Sequence, residues 1–113
     1  MSSPFAESCD ISLKNNMEAL LAMPSEHLLQ ALKHLRQQPG ASGFSPAVQA
    51  ILADIGRQQD VRAALAKCPA KDLEAFTPVV EPGFKTVAQA DRPAYKAILN
   101  LFVSTYFKYH FKG

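Results

Sequence analysis

Apolar residues recur along this chain at intervals of three and four, the spacing that places side chains on one face of a helix. Leu13, Met17, Leu20 and Leu21 form the first such series, and Leu28, Leu29, Leu32 and Leu35 the second. Val48, Ile51, Leu52 and Ile55 follow, then Val61, Ala64, Leu65 and Cys68. No stretch of useful length alternates with the period of two that a half-buried strand requires. The pattern predicts an all-α fold, a small bundle of about five helices ending in an aromatic-rich helix.

Capping residues and breakers set the expected boundaries. Residues 1–11 read as a flexible N-terminal arm, and residues 12–113 as a single helical domain whose first helix is capped by Ser12 and stopped by Pro24. Ser25 is the next candidate cap, with Glu26 suited to the positive helix start and Gln37, Gln38, Pro39 and Gly40 as the stop. Ser45 followed by Pro46 is the clearest start in the sequence, because a proline at the first helical position gives up an N–H that has no partner there anyway. Gly56 either ends that helix or lies inside a longer one; in the first case Asp60 is placed to cap the next helix, and Pro69 closes it. Residues 70–76 suit a short helical piece carrying Leu73 and Phe76, with Thr77-Pro78 as its stop. Val79-Val80 then reads as extended, Glu81-Pro82-Gly83-Phe84 as a tight turn, and Lys85 to Ala90 as a further helical turn.

The last helix is expected from Pro93 to about Tyr109. Its polar residues Arg92, Lys96, Asn100, Ser104, Lys108 and Lys112 are spaced by four and form one narrow stripe, while the rest of its circumference is apolar or aromatic. A helix of that kind is normally central in its fold. A second reading has one of its sides packed inward and another meeting a partner. Tyrosine suits such a surface, since its ring is apolar and its tip polar. On that reading the partner-binding residues are Tyr95, Phe102, Tyr106, Phe107 and Tyr109, with Phe111 as a further candidate.

Composition supports a globular chain: 48% hydrophobic and 19% charged residues over 113 positions leave enough apolar surface for a core and enough charge for solubility. The net charge of +2 divides unevenly. Residues 1–56 carry three Lys/Arg and five Asp/Glu, and residues 57–113 carry nine and five. The basic excess is interleaved with acids, unlike the dense patch of a nucleic-acid surface. Two cysteines, Cys9 and Cys68, are too few for a disulfide-stapled scaffold, and Cys68 falls on an apolar helical face where a thiol behaves as a small hydrophobe. No basic start followed by an apolar run opens the chain, and no apolar stretch is long enough to span a bilayer. These features lead us to expect a cytoplasmic location and no membrane association.

Candidate chemistry is sparse. His27 and His34 are seven residues apart, about 10 Å along a helix axis, too far for two imidazoles to share an ion. Neither cysteine has the flanking pattern of a nucleophile, Asp72 and Glu74 diverge on a helix, and the glycines form no phosphate loop. Neither a catalytic nor a metal site is expected, nor any cofactor. The pair of helices over residues 46–68 has a helix-turn-helix outline that offers Gln58, Gln59, Arg62 and Lys67 to DNA or RNA. The aromatic ending resembles the close of helical accessory subunits of some bacterial dehydrogenases; it contains no diagnostic residue, so no role is carried over. The leading expectation is a helical protein–protein interaction module (an adaptor, accessory or regulatory protein) that binds another protein or a second copy of itself through its last helix. The alternatives are a nucleic-acid-binding regulator, or an accessory subunit or small-ligand-binding protein.

Overall fold

The computed structural model describes residues 4–111, with side chains from residue 7. Among the described residues there are six α-helices: α1 (Pro4–Ala22), α2 (Ser25–Arg36), α3 (Pro46–Gly56), α4 (Arg62–Ala66), α5 (Ala70–Gly83) and α6 (Arg92–Tyr109). Short 3-10 turns at Ala41–Gly43 and Gln89–Asp91 join them. No strand occurs among the described residues.

The last helix is central. α6 packs against α1, α2, α4, α5 and the 3-10 turn that precedes it. It buries Ala94, Tyr95, Ala97, Ile98, Leu101, Phe102 and Thr105. Thr105 satisfies its buried hydroxyl by donating to the Leu101 carbonyl at 2.6 Å. The Phe76 ring stacks on Phe102 with centroids 3.8 Å apart, and the Phe44 ring is tilted against Phe76 at 5.4 Å. Together these rings tie α5, α6 and the 41–44 turn into one core.

α1 and α6 run antiparallel over most of their length. Ser12 and Ser104 share a hydrogen bond of 2.8 Å, and Lys108 pairs with Asp10. The expected flexible arm is therefore helix wherever it is described, from Pro4 onward; residues 1–3 lie outside the described residues. Cys9, Leu13, Met17 and Leu20 are buried at spacings of four, four and three, so the stripe begins a turn before Ser12. Ser12 is an interior residue of α1 rather than its cap.

α3 follows its sequence signals closely. Ser45 accepts a hydrogen bond from the Val48 N–H at 3.2 Å, Pro46 occupies the first turn, and Val48, Ile51, Leu52 and Ile55 are all buried. α2 buries Leu28, Ala31, Leu32 and Leu35 but leaves Leu29 exposed. Pro24, not Ser25, stands at its N-cap position, and no side chain caps it. Gly40 adopts φ +92°, the left-handed conformation that lets the chain turn sharply out of α2.

Residues 70–83 depart most from expectation. α5 continues through Pro78 and Pro82 to Gly83, so Val79-Val80 is helical rather than extended, and Glu81-Pro82-Gly83-Phe84 is the closing turn of the helix, with the Phe84 N–H donating to the Glu81 carbonyl at 3.3 Å. Each proline removes the N–H that would bond the carbonyl four residues back, here those of Glu74 and Pro78. The prolines are themselves four apart and both exposed, so the two defects fall on one outward side. Leu73, Phe76, Val80 and Gly83 remain buried as an uninterrupted stripe, and the apolar contacts of that face sustain the helix.

The segment from Phe84 to Asp91 is pinned on both sides. His34 Nε2 lies 2.8 Å from Thr86 Oγ1, and His27 Nδ1 lies 3.0 Å from Asp91 Oδ1. The Arg92 guanidinium donates to the carbonyls of Val87 and Lys85 and lies over the Phe84 ring. The two histidines of α2 therefore hold a distant segment against their own helix.

Candidate functional site

α5 and α6 run antiparallel and leave a furrow between them. Its larger hollow, about 430 Å³, is lined by Leu73, Glu74, Thr77, Pro78 and Glu81 from α5 and by Val103, Tyr106 and Phe107 from α6. A second hollow of about 350 Å³ continues along the same helix pair, lined by Glu81, Phe84, Lys85, Lys96, Leu99 and Asn100. Glu81 belongs to both, so they are two stretches of one furrow.

Local sequence accounts for its walls. On α6, Leu99, Val103, Tyr106 and Phe107 form the flank adjoining the buried face of Ile98, Leu101, Phe102 and Thr105. On α5, Glu74, Pro78 and Glu81 form an outward row at spacings of four and three. The proline ring between the two carboxylates keeps that wall apolar at its middle. The Glu74 carboxylate beside the Tyr106 hydroxyl holds the phenol above its ordinary pKa. Leu73, Pro78, Val103 and Phe107 supply an apolar floor, so the hollow can take a hydrophobic side chain, and its acidic rim can take a hydrogen-bond donor.

Beyond the furrow the aromatic end of α6 continues outward. The Tyr106 and Phe107 rings meet edge to face at 5.6 Å, and Phe107 meets Phe111 in the same way at 5.0 Å. Lys108 Nζ lies 4.9 Å from the centre of the Tyr109 ring. His110 Nε2 lies 3.1 Å from the Cys68 carbonyl, which moors this end of α6 to the junction of α4 and α5.

The five aromatic residues expected at a partner surface therefore separate. Tyr106 and Phe107 are half-buried in the furrow wall, and Tyr109 is 47% exposed. Tyr95 and Phe102 are 1% and 0% exposed and belong to the core. They lie on the side of α6 enclosed by the other helices, where no partner can reach them in the folded chain. The α5 wall, with Glu74, Pro78 and Glu81, is hidden from any reading of the sequence that treats proline as a helix break. The signal that would have found it is the stripe of Leu73, Phe76, Val80 and Gly83, which keeps helical spacing across both prolines.

The residues offered to nucleic acid have other occupations. α4 is five residues long, too short to lie in a groove and present a row of side chains. Gln58 donates its amide to the carbonyls of Leu20, Leu21 and Met23 at 2.8–3.4 Å, bracing the end of α1. Arg62 is forked onto Asp60, each holding the other in its charged form. Gln59 and Lys67 are exposed, and nothing gathers them with the other two into a common surface.

Among the described residues no three His, Cys, Asp or Glu side chains come together as a metal site. Cys9 and Cys68 are buried free thiols, and burial, with Asp72 nearby, pushes the Cys68 thiol above its ordinary pKa. A thiol so shielded is a poor nucleophile. No described helix is long and apolar enough to cross a membrane. Compared with protein-family models, curated proteins and solved structures, the chain matches none.

Proposed function

We propose that this protein is a small helical binding module that takes up an apolar segment of a protein partner in the furrow between α5 and α6, with the aromatic end of α6 extending the contact. The observation that carries this reading is the furrow itself. It joins a hollow of about 430 Å³ to one of about 350 Å³ along two antiparallel helices. An amphipathic helix laid into such a groove buries side chains at intervals of three and four. Tyr106 and Phe107 are the expected anchors, since aromatic side chains that are half dry before binding lose little freedom and bury much area.

Site-specific photocrosslinking tests the proposal. A photoreactive amino acid placed at Val103 or Tyr106 is expected to give protein adducts in cells. The same group at Ala63, exposed on α4, is expected to give none. Equal yields from all three positions, or no adduct from the furrow positions, would remove the furrow as the binding surface.

A further inference from the structure

The furrow is electrically polar along its length. The hollow at the Tyr106 end carries the carboxylates of Glu74 and Glu81 and no cation. The hollow at the other end carries Lys85 and Lys96 beside Phe84 and Leu99, with Glu81 at the junction. All four charged residues are exposed, and none of the ion pairs found among the described residues uses any of them. The Tyr106 end adds the aromatic rings of Tyr106 and Phe107, while its Thr77 hydroxyl is engaged with the Leu73 carbonyl. That end calls for a cation on an apolar footing. The opposite end of the same furrow presents two.

We infer that the occupant of the furrow is a second copy of this chain, related by a two-fold axis across the middle of the furrow. Such an axis lays two furrows antiparallel and makes the contact self-complementary. Glu74 of each copy then meets Lys85 and Lys96 of the other, and Phe84 and Leu99 meet Tyr106 and Phe107. The register follows from the order of the charges: Glu74 lies in the second turn of α5 and Lys85 two residues beyond its end at Gly83, so the axis falls midway between them, near Val79 and Val80. Glu81 of each copy lies close to the axis and so near its counterpart, an acidic pair at the centre of the contact that the flanking lysines must offset. The assembly is two α5–α6 pairs packed face to face. This inference rests on the proposed furrow reading and adds the identity of the occupant.

Charge reversal with mixing tests it. The wild-type protein is expected to rise from 12.3 kDa toward twice that mass with concentration, measured by light scattering. Glu74→Lys with Glu81→Lys makes the furrow basic throughout, and Lys85→Glu with Lys96→Glu makes it acidic throughout. Each double variant alone is expected to remain a monomer, and an equimolar mixture of the two to regain the doubled mass, because a wholly basic furrow complements a wholly acidic one. All four positions are exposed, so unchanged circular dichroism and melting temperature serve as the folding control. A mixture that stays monomeric overturns the two-fold register. Wild-type protein that is monomeric at every concentration overturns self-association alone, leaving the furrow reading to the crosslinking test. A doubled mass that persists in each variant alone places the self-contact on another face and overturns the two-fold inference, again leaving the furrow reading to the crosslinking test.

Discussion

The hydroxyl of Tyr95 lies directly against the α-carbon of Gly83, so that a β-carbon at residue 83 would overlap it and stand 2.8 Å from Gln38 Cδ. Glycine is required here by close approach rather than by backbone angle. It lets α5 end against the first turns of α6. Gly83→Ala is expected to destabilise the protein by about 1–3 kcal/mol, the usual range for overpacking a closed site. The Tyr95 hydroxyl is buried without a hydrogen-bond partner, so Tyr95→Phe should leave stability unchanged or raise it by about 1 kcal/mol. In the Tyr95→Phe background the alanine should cost less. Urea unfolding of the two single variants and the double variant measures this coupling.

The same hydroxyl governs alkaline stability. Burial pushes the Tyr95 phenol up to about 12, whereas in the unfolded chain it titrates near 10. The folded form thus retains a proton that the unfolded form has lost. Stability from this group is intact below about pH 10, falls as pH rises toward 12, and is then lost, by about 2–3 kcal/mol in all. Tyr95→Phe should not show this decline. The difference in unfolding free energy between variant and wild type should therefore widen from pH 10 to 12; a constant difference would show that the ring is not desolvated as described.

Gln58 combines an unusual backbone with a structural side chain. Its φ is +56°, the only positive value at a non-glycine among the described residues, and its amide braces three carbonyls at the end of α1. Gln58→Ala keeps the backbone strain and loses the brace, whereas Gln58→Gly loses the brace and relieves the strain. Alanine is expected to cost about 1–2 kcal/mol, with glycine about 1 kcal/mol less damaging. Thermal unfolding of both variants checks the order. Nucleic-acid readout by Gln58 would require this side chain to leave its carbonyls.

Phe102 and Tyr106 are four residues apart on α6 and should respond in opposite ways. Phe102 stacks on Phe76 and is wholly buried, so Phe102→Ala is expected to cost about 3–5 kcal/mol. Tyr106→Ala removes a half-buried ring from the furrow wall and should cost stability about 1 kcal/mol, while weakening partner capture or self-association tenfold or more. A large stability loss at Tyr106 with unchanged association would assign that ring to the core.

Much of the fold was legible in residue spacing, for identifiable reasons. Ser45-Pro46 and Pro93 mark helix starts by removing or satisfying backbone donors, a local effect that sequence displays directly. Four apolar positions on α3 and three on α2 are buried as their spacing required. The early start of α1 was hidden because its stripe opens with Cys9, a residue not usually counted as a helix-face marker. α5 was hidden because proline reads as a stop, and what carries the helix past Pro78 and Pro82 is tertiary: Phe76 stacks on Phe102, twenty-six residues away in sequence. The candidate site was half visible for the same reason. Its α6 wall is written in aromatic residues, but α6 is apolar on nearly every side, and only the positions of α1, α2 and α5 decide that Tyr95 and Phe102 face inward while Tyr106 and Phe107 border the furrow.

The central position of α6 also bears on how the chain is made. Ribosomes build proteins from the N-terminus, so α1 to α5 emerge before the helix around which they pack. At ordinary elongation rates the eighty-odd residues between the end of α1 and the end of α6 take roughly 4–17 s to appear. Throughout that interval Leu13, Met17 and Leu20 lack the face they will be buried against. Assembly of the domain must therefore follow release of α6 from the exit tunnel, and chains stalled short of residue 92 should be clients of the chaperones that shield exposed apolar helices.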